Sequence, residues 1–162
     1  QKFSNISDVT KIENQVAYVG RDSYENGIDI LKQAESKING HVTYCTDRSW
    51  DDAMKIIKSS QVVVVPSRME SLPTTVKEAF YLNVPVVATN VGGIPELISD
   101  NDTGLLVPPE NPEKIADAVN DLLSNPEKAE KLAINGNNFV KKNMTWDVVL
   151  PKFIQFYEDL LK

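Results

Sequence analysis

Short apolar runs alternate along the chain with longer segments whose apolar residues recur every three or four positions. Val16-Ala17-Tyr18-Val19 (ending at Gly20), His41–Cys45, the nearly all-valine Gln61–Val65, Pro85–Thr89 and Gly104–Val107 read as strands. Between them, Ile28–Ile38 carries apolar residues at Ile28, Ile30, Leu31, Ala34 and Ile38, which is a helical stripe; Trp50–Lys58, Thr74–Leu82 and Pro95–Ile98 are also expected to be helical. Three more helices, Pro112–Leu123, Pro126–Lys142 and Trp146–Leu161, are expected to close the chain. Asn111 and Asn125, each standing before a proline, are expected to be their N-caps. A strand made of valine alone suits burial on both faces of a sheet. The alternation therefore predicts an α/β fold, a doubly wound, Rossmann-like parallel sheet of about five strands joined by right-handed crossovers. Residues 1–15 lack periodicity and are expected to be a linker leading into a single domain over 16–162.

Composition narrows the classes. At 162 residues, with 41% hydrophobic and 25% charged residues, the chain has enough apolar material for a core, and its apolar runs are too short for a membrane span. It begins at Gln1, so a fragment or a processed form is expected. A net charge of −6 argues against a nucleic-acid partner, which would need a basic face, yet leaves room for one small diphosphate held by local donors. The single cysteine, Cys45, forbids an intramolecular disulfide, and a cytoplasmic location is expected. The single histidine, His41, begins a strand, which removes Ser-His-Asp chemistry and most zinc sites. Cys45 is read as packing, and Asp100-Asn101-Asp102, a D-x-D match, as a plain polar turn.

In open parallel sheets, ligands bind beyond the carboxyl ends of the strands. That rule selects four segments: Gly20–Ser23, Thr46–Arg48, Pro66–Thr75 and Thr89–Gly93. The third opens a helix, whose unpaired N–H groups and dipole favour an anion. Glu70 precedes this helix, and Glu78 lies about five residues into it, roughly 7 Å further along its axis. Two such carboxylates can each accept hydrogen bonds from paired sugar hydroxyls. The plainer alternative, Glu70 favouring the helix end and Glu78 solvated, is what spacing alone prefers.

The run Pro66-Ser67-Arg68-Met69-Glu70-Ser71-Leu72-Pro73-Thr74-Thr75-Val76-Lys77-Glu78-Ala79-Phe80, continued by Val84–Thr89, Val91–Ile98 and Thr103–Pro108, resembles the E-x7-E region of group 1 (family 4-like) retaining glycosyltransferases. The resemblance runs from about Val16 to Tyr157 and implies the C-terminal half of a GT-B enzyme. It further implies a hexosyl transfer from a nucleoside diphosphate sugar with retention of configuration, with no cofactor and no metal. The acceptor, a glycan, a lipid or another molecule, would be held by an absent N-terminal domain. That domain could also make the enzyme peripheral to a membrane, and the isolated fragment is expected to be inactive. By residue, the resemblance makes Arg21 and Glu70 the catalytic pair. Glu70 would meet the transferred sugar and Glu78 the ribose, backbone amides around Leu72–Thr75 would face sugar and diphosphate, and the donor site would take in Asn26, Ser71, Leu72, Pro73, Thr74 and Thr75.

Asn26 stands where the family usually has a lysine, so one cation is missing from the diphosphate site; Arg48 and Arg68 are the candidates to compensate. Pro73 supplies no N–H, and Asn83 replaces the glycine that commonly ends the helix. The family's strand–helix unit between Ile38 and His41 is also missing. These departures keep two alternatives open: a degenerate, non-catalytic nucleotide-sugar-binding or interaction module, and a nucleotide-sugar epimerase on the same scaffold.

Overall fold

Strands β1 (Gln15–Val19), β2 (His41–Cys45), β3 (Val62–Val65), β4 (Val86–Thr89) and β5 (Leu105–Val107) form one parallel sheet in the order β2-β1-β3-β4-β5. The computed structural model describes Phe3, Ile6 and residues 9–161, so positions 1, 2, 4, 5, 7 and 8 of the linker expected over 1–15 lie outside the described residues. β1 begins at Gln15, the last residue of the stretch expected as a linker. Gln15 already pairs with His41 in β1, because its buried amide is held by Ser59 and Ser60.

The helices are α1 (Ile28–Ala34), prolonged by a 3-10 turn at Glu35–Lys37, α2 (Trp50–Ser59), α3 (Thr74–Tyr81), α4 (Ile94–Leu97), α5 (Pro112–Ser124), α6 (Pro126–Asn143) and α7 (Trp146–Leu160). They cover both faces of the sheet. Successive strand residues point to opposite faces. Val16, Tyr18, Val62 and Val64 therefore join α1 and α5 in one core, while Ala17, Val63 and Val65 join α2, α3 and α4 in the other. Every residue of β3 is buried, as its all-valine pattern requires, and so is every residue of β4 (Val86-Val87-Ala88-Thr89). Ile38 leads through Gly40 directly into β2, which pairs with β1. The strand–helix unit missing from the sequence is thus missing from the sheet, and five strands remain.

Local signals hold with one exception. The Asn111 side chain accepts from the Lys114 N–H at 3.0 Å, a working N-cap. Asn83 takes the left-handed conformation after α3 (φ 59°), the role of the absent glycine. Asn125 does not cap α6 with its side chain; its amide donates backward to the Asp121 carbonyl at 2.9 Å, closing the end of α5. With α5 ending where α6 begins, this side chain serves the nearer orphan carbonyl. Among the described residues no helix is long and apolar enough to cross a membrane. The last helix, α7, buries none of its residues, and Trp146, Phe153, Phe156 and Tyr157 on it are more than half exposed.

Candidate functional site

At the carboxyl edge, over the ends of β1 and β3, a cleft of about 230 Å³ opens. Its floor is made by Tyr18, Val19 and Gly20 from β1 with Val65, Pro66 and Ser67 from β3. Its sides are Arg21 and Asn26 from the β1–α1 loop, Glu70 from the β3–α3 loop, and Pro73, Thr74 and Thr75 at the start of α3.

Each wall is fixed from beneath. The Tyr18 ring is 2% exposed and its hydroxyl donates to the Arg21 carbonyl at 2.7 Å, anchoring the loop that carries the arginine. Burial pushes this phenol up to about 12, so it remains a hydroxyl donor at any ordinary pH. Asn26 accepts from the Ser23 hydroxyl at 3.2 Å within the same loop. Gly27 follows at φ 66°, and a Cβ there would collide with the Pro66 carbonyl, so the β1–α1 loop and the end of β3 touch backbone to backbone. Thr75 donates its hydroxyl to the Val19 carbonyl at 3.3 Å, and Thr89 donates to the Ser67 carbonyl at 2.6 Å. No side chain caps α3, whose N-cap is Pro73. The first turn of α3, with the positive end of the helix dipole, thus lines the cleft without a side-chain cap, an arrangement suited to an anion.

The two expected carboxylates part company. Glu70 lines the cleft, and its Oε2 accepts from the Ser71 N–H at 3.1 Å. Glu78 is half-buried and does not line it; its Oε1 accepts from the Trp50 indole N–H at 2.9 Å, joining α3 to the start of α2. Of the nine residues expected to hold a donor, the cleft gathers Arg21, Asn26, Glu70, Pro73, Thr74 and Thr75, while Ser71, Leu72 and Glu78 stand outside it. The Gly92-Gly93 pair does not reach the cleft either. Gly92 (φ 52°) and Gly93 press on the Glu70 and Ser71 carbonyls, with the Gly93 N–H donating to the Glu70 carbonyl at 3.2 Å; they shape the loop that presents Glu70.

The missing cation is not replaced by Arg68. Its side chain is 9% exposed and forms ion pairs with Asp29 and Glu110, each at 2.7 Å. Arg48 is exposed, does not line the cleft and lowers the Cys45 thiol, although burial, the larger effect, raises it.

Residues 32–139 match the family described as Glycosyl transferases group 1. The chain belongs to this family. It is 31% identical over 120 residues to an uncharacterized glycosyltransferase of Methanocaldococcus jannaschii, an alignment covering 74% of this chain and 34% of that protein. The fold is also that of Anabaena HepE in complex with UDP-glucose (TM-score 0.82, 16% identity, 98% of this chain and 51% of HepE). It likewise matches the C-terminal domain of the group 1 glycosyltransferase LpcC from Francisella tularensis (TM-score 0.71, 20% identity, 83% of this chain and 87% of that one). This glycosyltransferase chain thus has the C-terminal half of the GT-B fold, and spans about a third of the M. jannaschii relative's length.

Other sequence signals of the glycosyltransferase domain resolve simply. Asp100-Asn101-Asp102 is a turn, with Asn101 at φ 57° and Asp100 accepting the Leu106 N–H at 2.9 Å. Among the described residues no group of three His, Cys, Asp or Glu side chains is arranged to hold a metal. Cys45 is buried and its thiol pKa raised by that burial, the mark of packing. Neither Tyr18 as part of the cleft nor Trp50 as the partner of Glu78 was foreseen. The one signal available for each was its position, at the end of β1 and at the start of the helix following the second rim segment.

Proposed function

We propose that this chain is the donor-binding half of a retaining hexosyltransferase, holding a nucleoside diphosphate sugar while a second domain presents the acceptor. The observation that carries the reading is the convergence of Arg21, Glu70 and the uncapped start of α3 on one cleft at the carboxyl edge. The diphosphate would lie against the Arg21 guanidinium and the first-turn amides, and Glu70 would accept hydroxyls of the sugar. Glu78, one helical turn beyond Thr74 and Thr75 on the same side of α3, would take the ribose hydroxyls. When the bond between the anomeric carbon and the diphosphate oxygen breaks, the leaving group gains negative charge. Arg21 and the helix mouth would stabilise that charge, and the acceptor oxygen would then join the same face of the sugar. HepE, solved with UDP-glucose, makes that the first donor to try.

Asn26 supports a second reading, a binding module without turnover, because an amide in place of a cation weakens leaving-group stabilisation by about 2–4 kcal/mol. Substituting Asn26→Lys in the full-length protein separates the two. A large gain in turnover indicates a slow enzyme, and no sugar transfer by either form indicates a binder. The donor site itself is tested by titration calorimetry of this chain with UDP-glucose and other nucleotide sugars. Arg21→Ala and Glu78→Ala should each weaken binding by about 1.5–3 kcal/mol, the worth of a charge-assisted hydrogen bond. Unchanged affinity in both variants defeats the assignment, and transfer by these 162 residues alone contradicts the expected need for a second domain.

A further inference from the structure

Arg68 lies in a loop at the carboxyl edge, two residues before Glu70, yet its side chain is almost fully enclosed. The guanidinium makes four hydrogen bonds. Nη1 and Nη2 fork onto the Asp29 carboxylate at 2.7 and 2.8 Å, Nε reaches the Glu110 carboxylate at 2.7 Å, and Nη1 also reaches the Tyr24 carbonyl at 2.7 Å. Its planar face stands 3.9 Å from the centre of the Tyr24 ring. The Arg68 and Met69 N–H groups both donate to the Glu25 carbonyl, at 2.8 and 3.3 Å.

These contacts join three separate segments. Tyr24 and Glu25 belong to the loop that carries Arg21 and Asn26, Asp29 lies in the first turn of α1, and Glu110 lies in the loop after β5 with its backbone in the left-handed region (φ 57°). With two carboxylates on one guanidinium, the cluster carries no surplus positive charge to offer a phosphate. The hydrogen bond to Arg68 holds the Asp29 carboxyl below the usual carboxylate range, so the pair stays ionised. The planar fork also fixes orientation, which a flexible ammonium does not.

Resting on the donor-site reading above, we infer that Arg68 is a positioning residue. It acts as a clamp that sets the separation between the Arg21–Asn26 wall and the Glu70 wall, and it contributes no direct contact to the donor. Asp29 is the other half of the clamp. A cleft whose walls are held by bonds between distant segments loses affinity when those bonds go, even where the ligand touches none of them.

The test uses three variants of this chain, Arg68→Met, Arg68→Lys and Asp29→Asn, with Arg21→Ala as reference. UDP-glucose affinity is read by calorimetry below the melting range, and amide hydrogen exchange is read on the ligand-free proteins. All three should bind about tenfold more weakly while remaining folded. Exchange should rise together across 21–27 and 68–72. Lysine should fail to rescue, because the fork rather than the charge is what matters. If Arg68 were a diphosphate ligand, Asp29→Asn would release it and tighten binding, and Arg68→Lys would keep most of the affinity; either result overturns the clamp. Loss of stability with unchanged affinity and unchanged exchange at both walls also overturns it, by assigning Arg68 to packing alone. If the unsubstituted chain binds no nucleotide sugar, the donor-site reading falls, and the exchange data still decide whether the clamp exists.

Discussion

At the amino end of the sheet, the buried Gln15 donates to the Ser59 and Ser60 hydroxyls at 2.8 Å each and accepts from the Thr43 hydroxyl at 3.3 Å; the two serines in turn donate to the Ile56 carbonyl. At the carboxyl end, Tyr18, Thr75 and Thr89 spend their hydroxyls on backbone carbonyls, but what they hold in place is left open: an exposed arginine, a half-buried glutamate and an uncapped helix start. Both ends are rich in polar groups. At one end they saturate each other, and at the other they support neighbours that line the cleft. What distinguishes the cleft edge from the structural one in this molecule is therefore what the polar groups support, since polarity is common to both.

Substitutions that act on stability and binding separately can break this contrast. The largest effect is expected from Gly92→Ala, which places a methyl against the Glu70 carbonyl at a positive φ. A cost of about 3 kcal/mol in urea unfolding, with loss of measurable UDP-glucose binding, is expected because the displaced backbone carries Glu70. Gln15→Leu should cost about 1–3 kcal/mol of stability by unfolding, through the unpaired polar atoms it leaves, and should leave donor affinity unchanged. If Gln15→Leu weakened binding as much as stability, the two ends would not be independent. Asn26→Lys should tighten UDP-glucose binding by about 1 kcal/mol in low salt and less in high salt, since it adds a partly exposed cation beside the proposed diphosphate position. The smallest effect belongs to His41→Ala at the exposed start of β2. Both unfolding and calorimetry should stay within about 0.5 kcal/mol of the parent.

The fold was largely legible because its signals are local. The valine run of β3 announces two-sided burial, the stripe from Ile28 to Ala34 announces α1, and the lack of chain between Ile38 and His41 foretells the five-strand sheet. Arg21 and Glu70 fall in segments that the strand ends select, and the structure lines one cleft with both, together with Asn26. What escaped depends on partners far along the chain. Nothing near Arg68 indicates that Asp29 and Glu110 will enclose it, nothing near Glu78 points to the Trp50 indole, and nothing near the Gly92-Gly93 pair shows that it will pack against the Glu70 carbonyl. The side chain of Asn125 was misassigned for a related reason. Two helix ends compete for it within a few residues, and the sequence does not show which is nearer.

The order of the strands has a consequence for how the chain reaches this state. No two neighbouring strands are joined by a hairpin, and β1, the earliest of the five in the chain, lies inside the sheet between β2 and β3. Val16 finds its partner Val62 only after two helices and another strand have been synthesised, so the centre of the sheet cannot zip up from a local nucleus. Folding should be slow for a domain of this length, and a nascent chain halted before β3 should expose the apolar side of β1 to whatever chaperone stands nearby.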